Sequence, residues 1–146
     1  MDIVTTAHKP EIRVIVLAED DKDDVFLFKR ALANIENLDI KVATNGIEAL
    51  TALHNLPEAE IIFLDVNMPI MNGLECLLEI KNTYKDVAVI ILTTSSSENL
   101  ISQAKTSGAS GFICKPISLE RFRAVMRDVL SIDWKKHYPL FYLSVD

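Results

Sequence analysis

The sequence predicts an α/β protein in which helices cover both faces of a parallel β-sheet. Five short apolar segments rich in Val and Ile recur along the 146 residues. Each is followed by a longer segment whose apolar residues repeat at helical spacing. Strands buried on both faces of a parallel sheet are apolar throughout instead of alternating, and most of these segments have that character. Five such strand–helix units predict a doubly wound (βα)5 fold with right-handed crossovers.

The individual elements follow from this pattern. The predicted strands are residues 13–18, 40–43, 61–64, 88–92 and 111–114. Apolar residues spaced three or four apart mark the helices, most clearly the first, with Val25, Phe28, Leu32 and Ile35, and the last, with Phe122, Val125, Met126 and Val129.

Turn and capping residues indicate where several helices begin. Asn45 precedes the second predicted helix and Asn72 the third, and each is followed by Gly. The fourth predicted helix covers residues 98–107, and Ser118 is a candidate N-cap for the fifth.

Length and composition indicate one domain over residues 11–131, between a flexible segment at 1–10 and a tail at 132–146. A chain of this size has core enough without a disulfide, so we expect Cys76 and Cys114 to be reduced. We expect the tail either to pack on the domain or to form a dimer or partner interface. A lone histidine there, His137, is expected to be structural. Four of the ten aromatic residues lie in this tail: Trp134, Tyr138, Phe141 and Tyr142.

Charge and hydropathy exclude several function classes. The net charge of −6 argues against unaided binding to nucleic acid, which needs clustered Lys and Arg. No apolar run approaches the roughly 20 residues of a membrane span. The N-terminus lacks the apolar core of a signal peptide. Because the sequence ends soon after the last predicted helix, we expect no DNA-binding domain. We therefore expect a cytoplasmic protein that binds neither membranes nor nucleic acid directly.

The residues with chemical potential follow the predicted strands. Ligands of an open parallel sheet bind outside the carboxyl ends of the strands. Carboxylates, hydroxyls and one ammonium come from four of these ends, namely Glu19, Asp20, Asp21, Asp65, Thr93, Thr94 and Lys115. Each alone has an ordinary structural explanation, such as an acidic residue at a helix N-terminus. Four strand ends carrying such residues together favour a functional site.

The chemistry of this cluster points to a divalent cation and phosphoryl transfer. Clustered carboxylates raise one another's pKa values unless a cation offsets their charge. Oxygen ligands without Cys or His suit Mg²⁺. Beside such an ion, Asp65 could attack a phosphoryl group. Lys115 and Thr93 could contact the other phosphoryl oxygens.

These residues and their neighbours resemble the receiver domains of two-component response regulators. The resemblance covers about residues 12 to 130 and rests on Phe63-Leu-Asp-Val-Asn-Met-Pro-Ile-Met-Asn-Gly73, Leu92-Thr-Thr-Ser95 and Gly108-Ala-Ser-Gly-Phe-Ile-Cys-Lys-Pro116. It implies a flavodoxin-like fold with a five-stranded sheet in the order 2-1-3-4-5, in a single-domain protein. It also implies that Asp65 is the phosphoacceptor.

The resemblance extends to the metal ligands. Asp20 and Asp65 would bind Mg²⁺, Glu19 would act through water, and Asn67 would contribute its backbone carbonyl. The acidic pair Glu19 and Asp20 departs from the commonest pattern of the family, because its first residue is Glu instead of Asp. Asp21 adds a further carboxylate, which could strengthen metal attraction or face solvent.

The resemblance also implies a switch. Lys115 would pair with the phosphoryl oxygens, and its peptide bond to Pro116 would be cis. Thr93 would move toward the phosphoryl group, and Phe112 would follow it inward and alter the surface of the fourth helix and fifth strand. Phe112 lacks a tyrosine hydroxyl, so its two states would differ in packing only.

Three functions from different classes fit these residues. The first is a signalling receiver, phosphorylated by a histidine kinase or a histidine-phosphotransfer protein and acting on another protein. It would catalyse only its own phosphorylation and dephosphorylation. The tail could also form the interface of a homodimer. A hydrolase with Asp65 as nucleophile is disfavoured because Asn67 stands where such enzymes carry a second Asp. A pseudo-receiver that only binds proteins is disfavoured because Asp20, Asp65, Thr93 and Lys115 are all present.

Overall fold

A parallel sheet of six strands forms the centre of the molecule, with the order β2-β1-β3-β4-β5-β6. The computed structural model describes residues 11–136 and 140–145. Every neighbouring pair of strands is parallel. The strands are β1 (Arg13–Ala18), β2 (Leu38–Ala43), β3 (Ile61–Leu64), β4 (Ala88–Thr93), β5 (Gly111–Cys114) and β6 (Tyr142–Ser144). The predicted α/β fold and the order 2-1-3-4-5 are confirmed, and the sheet has one strand more than expected.

Five helices connect the strands. They are α1 (Lys22–Ala31), α2 (Gly46–Asn55), α3 (Gly73–Thr83), α4 (Glu98–Thr106) and α5 (Leu119–Ser131). Asn45, Asn72 and Ser118 cap α2, α3 and α5 as their sequence positions predict. Among the described residues, no helix has both the length and the apolar character needed to cross a membrane.

Two apolar cores lie on opposite faces of the sheet. Alternate residues of β1 face opposite sides, so Val16 belongs to one core and Leu17 to the other. Residues of α2, α3 and α4 contribute to the first core, and residues of α1 and α5 to the second. All residues of β3 and β4 are buried. The uninterrupted apolar runs of these strands therefore reflect a sheet covered on both sides.

The described part of the tail packs on the domain and supplies the additional strand. Trp134 packs on the core beside α5, and its Nε1 donates a hydrogen bond to the Val129 carbonyl at 2.9 Å. Phe141 packs on the opposite core, with the Lys105 ammonium 5.6 Å from its ring centroid. Tyr142 begins β6. The predicted N-terminal segment 1–10, together with His137 and Tyr138, lies outside the described residues.

Candidate functional site

The first feature of the site is a group of three carboxylates at the carboxyl edge of the sheet. Oxygen atoms of Glu19, Asp20 and Asp65 all lie within 4.8 Å of one another. Glu19 is 2% exposed and Asp65 6%, whereas Asp20 is exposed to solvent. The sequence placed all three at strand ends, and the structure brings them together.

Backbone hydrogen bonds that continue the sheet beyond its strands hold these residues in place. The amide of Glu19 donates to the Ala43 carbonyl at 2.8 Å, and that of Asp65 to the Ala18 carbonyl at 3.0 Å. Gly73 packs against the Asp65 main chain so closely that a Cβ atom there would overlap the Asp65 carbonyl oxygen. The position of Asp65 is therefore fixed by β1 on one side and by the start of α3 on the other.

The Lys115 side chain enters the carboxylate group from the end of β5. Its Nζ atom donates hydrogen bonds to Glu19 Oε1 at 2.6 Å and to Asp24 Oδ2 at 2.8 Å. The same atom is 3.8 Å from Asp65 Oδ1, beyond hydrogen-bond distance. Lys115 therefore lies beside the expected phosphoacceptor but is bonded to two other carboxylates.

Burial and charge shift the pKa values of this pair. Burial raises the pKa of Glu19 to about 7, with a contribution from the Asp65 charge, and Lys115 only partly opposes the shift. Burial lowers the pKa of Lys115, but its bonds to Asp24 and Glu19 and the charges of Glu19 and Asp65 outweigh this effect and raise it overall. The Lys115 ammonium therefore offsets only part of the cost of a carboxylate at Glu19.

Two acidic residues at the start of α1, Asp21 and Asp24, have roles that the sequence did not distinguish. Asp21 is the N-cap of α1 and accepts hydrogen bonds from the amides of Asp23 at 2.8 Å and Asp24 at 3.0 Å. Asp24 was not among the predicted site residues, yet it contacts Lys115. The position of Asp24 in the first turn of α1 could have indicated this contact. Helical side chains tilt toward the helix N-terminus, and the N-terminus of α1 lies beside the site.

The two predicted switch residues are both buried. Thr93 is buried at the end of β4, and its Oγ1 accepts a hydrogen bond from the Ser95 amide at 3.5 Å. Phe112 lies wholly within the core on the α4 side of the sheet. The Lys115 amide donates to the Thr93 carbonyl at 2.7 Å, which connects the ends of β4 and β5. Phe112 is therefore fully buried in this structure, and its inward movement on phosphorylation stays a prediction.

The predicted cis bond between Lys115 and Pro116 is wrong, because the described residues contain no cis peptide bond. The trans isomer of an X-Pro bond is intrinsically favoured by about 0.5–1 kcal/mol. With this isomer the Lys115 side chain reaches Glu19 and Asp24. After this bond the chain turns into α5, whose N-cap Ser118 accepts a hydrogen bond from the Arg121 amide at 3.1 Å.

The sequence also matches the model of a known protein family. The response regulator receiver domain model matches residues 15–127, which is most of the chain. The chain belongs to the response regulator receiver domain family.

Relatives of this receiver domain include both longer and similarly sized proteins. The transcriptional regulatory protein MalR of Bacillus subtilis is 33% identical over 116 residues, covering 78% of this chain and 48% of MalR. The chemotaxis protein CheY homologue of Campylobacter jejuni is 26% identical over 118 residues, covering 80% of this chain and 91% of the homologue. The chain thus matches about half the length of MalR and most of the CheY homologue.

Solved receiver structures share the fold. The phosphorylated cyanobacterial phytochrome response regulator RcpA has a TM-score of 0.73 and 28% identity, covering 81% of this chain and 91% of RcpA. The Mn²⁺-bound response regulator Rcp1 has a TM-score of 0.72 and 26% identity, covering 88% and 98%. A chain of the CheX–CheY–BeF3–Mg²⁺ complex from Borrelia burgdorferi has a TM-score of 0.72 and 28% identity, covering 82% of this chain and 87% of that one.

The donor atoms of this receiver domain fit a hard divalent cation. Glu19, Asp20 and Asp65 offer carboxylate oxygens only, and their mutual proximity favours a bound positive charge. Asp21 is engaged in capping α1 and is not part of this group. Asn67 is exposed in the loop between β3 and α3, and the metal-ligand role of its carbonyl stays a prediction.

Proposed function

We propose that this receiver domain accepts a phosphoryl group on Asp65 from a histidine kinase or a histidine-phosphotransfer protein. The observation that carries the proposal is the placement of the Asp65 carboxylate. It is largely buried, lies within 4.8 Å of two other carboxylates and has an ammonium 3.8 Å away. Membership of the receiver family supports the same role.

The transfer is a nucleophilic displacement at phosphorus. An oxygen of Asp65 forms the new bond to phosphorus, and the bond between phosphorus and the donor's histidine nitrogen breaks. The electron pair of that bond leaves with the imidazole, which takes up a proton. Since Asp65 is fixed through its own backbone by β1 and by Gly73, its carboxylate is positioned before the donor arrives.

Mg²⁺ is the proposed cofactor. Asp20 and Asp65 would hold it directly, Glu19 through water, and Asn67 through its backbone carbonyl. When bound, the ion supplies positive charge that stabilises the oxygens of the transferring group. The raised pKa of Glu19 supports a cation here, because burial and the Asp65 charge disfavour a carboxylate at that position.

Two further side chains would bind the transferred group. Lys115 would donate to a phosphoryl oxygen, and the Thr93 hydroxyl would donate to another. Phosphorylation adds about −1.5 to −2 charge at pH 7. Movement of Thr93 toward that charge would favour the inward Phe112 and bias the surface of α4 and β5 toward one state.

The proposed output is binding to another protein. The CheX–CheY complex contains a related receiver bound to a protein. We propose that this domain signals similarly from the cytoplasm and catalyses only its own phosphorylation and dephosphorylation. Homodimerisation through the tail is a further part of the proposal.

Intact-mass spectrometry with a small phosphodonor and Mg²⁺ tests the proposal. We expect a labile mass increase of one phosphoryl group on the native chain and none on Asp65→Asn. Asp20→Asn should weaken labelling, whereas Asp39→Asn, an exposed position on β2, serves as the control for loss of a carboxylate. Equal labelling of Asp65→Asn would refute the assigned acceptor. No labelling of the native chain would favour a pseudo-receiver that only binds proteins.

A further inference from the structure

Asp24 contacts the site but has no role in the transfer described above. We propose that Asp24 is a positioning residue that holds the Lys115 ammonium away from Asp65 until a phosphoryl group competes for it. The proposal rests on the proposed function, because it concerns the same site. Its basis is the set of distances from Lys115 Nζ, which are 2.8 Å to Asp24 but 3.8 Å to Asp65.

The structure fixes Asp24 where it can do this. Its backbone amide donates to the Asp21 side chain at 3.0 Å, which anchors the first turn of α1. A helical side chain at this position tilts toward the helix N-terminus, and for α1 that direction leads to the carboxyl ends of β1 and β3. The contact with Lys115 therefore follows from the capping of the helix.

Two carboxylates hold the Lys115 ammonium, at 2.6 Å from Glu19 and 2.8 Å from Asp24, whereas Asp65 lies 3.8 Å away. A phosphoryl group on Asp65 would compete with both Glu19 and Asp24 for the ammonium. The Glu19 side chain is 2% exposed, so losing Lys115 would leave a buried carboxylate without its cation. The Asp24 side chain is 36% exposed, so water can replace Lys115 there at little cost. Asp24 is therefore the partner that releases Lys115.

Removing the Asp24 charge should consequently favour the phosphorylated state. Lys115 would be free to approach Asp65, and one negative charge near the phosphoryl group would be lost. For a partly exposed pair we expect Asp24→Asn to bind a phosphoryl analogue about three- to tenfold more tightly. Asp24→Glu keeps the carboxylate and should remain closer to the native affinity.

The test is calorimetric titration of the full chain with beryllium fluoride in the presence of Mg²⁺. Asp23→Asn is the control, because Asp23 has the same charge, lies in the same helical turn and forms no ion pair with any described residue. We expect tighter binding for Asp24→Asn than for Asp23→Asn. In a Lys115→Gln background, the difference between these two variants should largely disappear.

A second measurement separates the proposal from the function on which it rests. Acylation of Lys115 by a water-soluble ester, followed by peptide mass spectrometry, needs neither metal nor phosphoryl analogue. We expect Asp24→Asn, but not Asp23→Asn, to increase labelling of Lys115 about threefold or more, as expected for loss of a partly exposed ion pair. Unchanged labelling, or increased labelling without tighter beryllium fluoride binding, would overturn the role of Asp24. Failure of the native chain to bind beryllium fluoride would instead refute the proposed function, while labelling would still report whether Asp24 holds Lys115.

Discussion

Replacing Gly73 with alanine should destabilise the protein and displace the phosphoacceptor. An added Cβ would overlap the Asp65 carbonyl oxygen and come within 2.9 Å of both the Asp65 carbonyl carbon and the Val66 Cα. All three atoms belong to the backbone, so no side-chain rotation can relieve the contact. Relief requires a shift of the main chain that carries the Asp65 carboxylate.

The sign of the effect distinguishes this clash from ordinary helix chemistry. Gly73 is the first residue of α3, where alanine alone would be neutral or stabilising by up to about 1 kcal/mol. Overpacking of this kind costs about 1–3 kcal/mol. We therefore expect Gly73→Ala to lower the free energy of unfolding by about 1–3 kcal/mol. A displacement of about 1 Å at the reacting group can cost about 100-fold in rate, so phosphorylation of Asp65 should slow markedly.

Urea denaturation and the intact-mass phosphorylation assay measure the two effects. Gly46→Ala is the comparison for a clash away from the acceptor, because Gly46 also begins a helix but its added Cβ would meet Met71, at 2.7–2.8 Å, and not the Asp65 main chain. We expect that variant also to lose about 1–3 kcal/mol of unfolding free energy but to phosphorylate at a nearly native rate. A Gly73→Ala protein as stable as the native chain would show that the packing of α3 against Asp65 is not tight.

Three further predictions concern residues on different parts of the domain. Cys76 is buried and burial raises its pKa to about 12, so a thiol reagent should label only the partly exposed Cys114 in the native protein and both after unfolding; rapid labelling of Cys76 would contradict its burial. Burial raises the Glu19 pKa from 4.5 to about 7. Protonated Glu19 therefore makes its full contribution to the unfolding free energy below pH 4.5, and this contribution is lost as pH rises toward 7. In metal-free protein Glu19→Gln should therefore remove a fall in unfolding free energy of up to about 3 kcal/mol between those pH values, and an unchanged pH profile would refute the shift. Phe141→Ala should lower the unfolding free energy measured in urea by about 1–3 kcal/mol, because the substitution opens the core beside α4. Ile12 is exposed, so Ile12→Ala should change the unfolding free energy little, and equal effects of the two variants would contradict the packing of the tail.

The central strands could be predicted from sequence because both of their faces are buried. β1 and β3 begin and end at the predicted residues. β3 is an apolar run between Glu60 and Asp65, and the apolar run of β1 follows Arg13 and ends before Glu19. β2 begins two residues earlier than predicted, at Leu38. Its burial alternates because it lies at the edge of the sheet, so Asp39 interrupts the apolar pattern without ending the strand.

The sixth strand could not be predicted in the same way. β6 has three residues, too few for a period to be recognised, and its pairing partner β5 lies about thirty residues earlier in the chain. The aromatic residues around it predicted either packing on the domain or an interface with a partner. The packing of Phe141 and Tyr142 depends on long-range contacts that no local pattern shows, because each contacts a different core, on opposite faces of the sheet.

The limits of sequence inference at the site come from side-chain direction. Topology places Glu19, Asp65 and Lys115 at one edge because strand ends in a parallel sheet coincide, and that part required only the strand assignments. Asp21 and Asp24 are both acidic and both near this edge, yet one caps α1 and the other binds Lys115. Their roles depend on where the helix begins, because a shift of one residue would rotate every following side chain by about 100°. The carboxylate that competes for Lys115 was therefore identifiable only once the capped first turn of α1 was known.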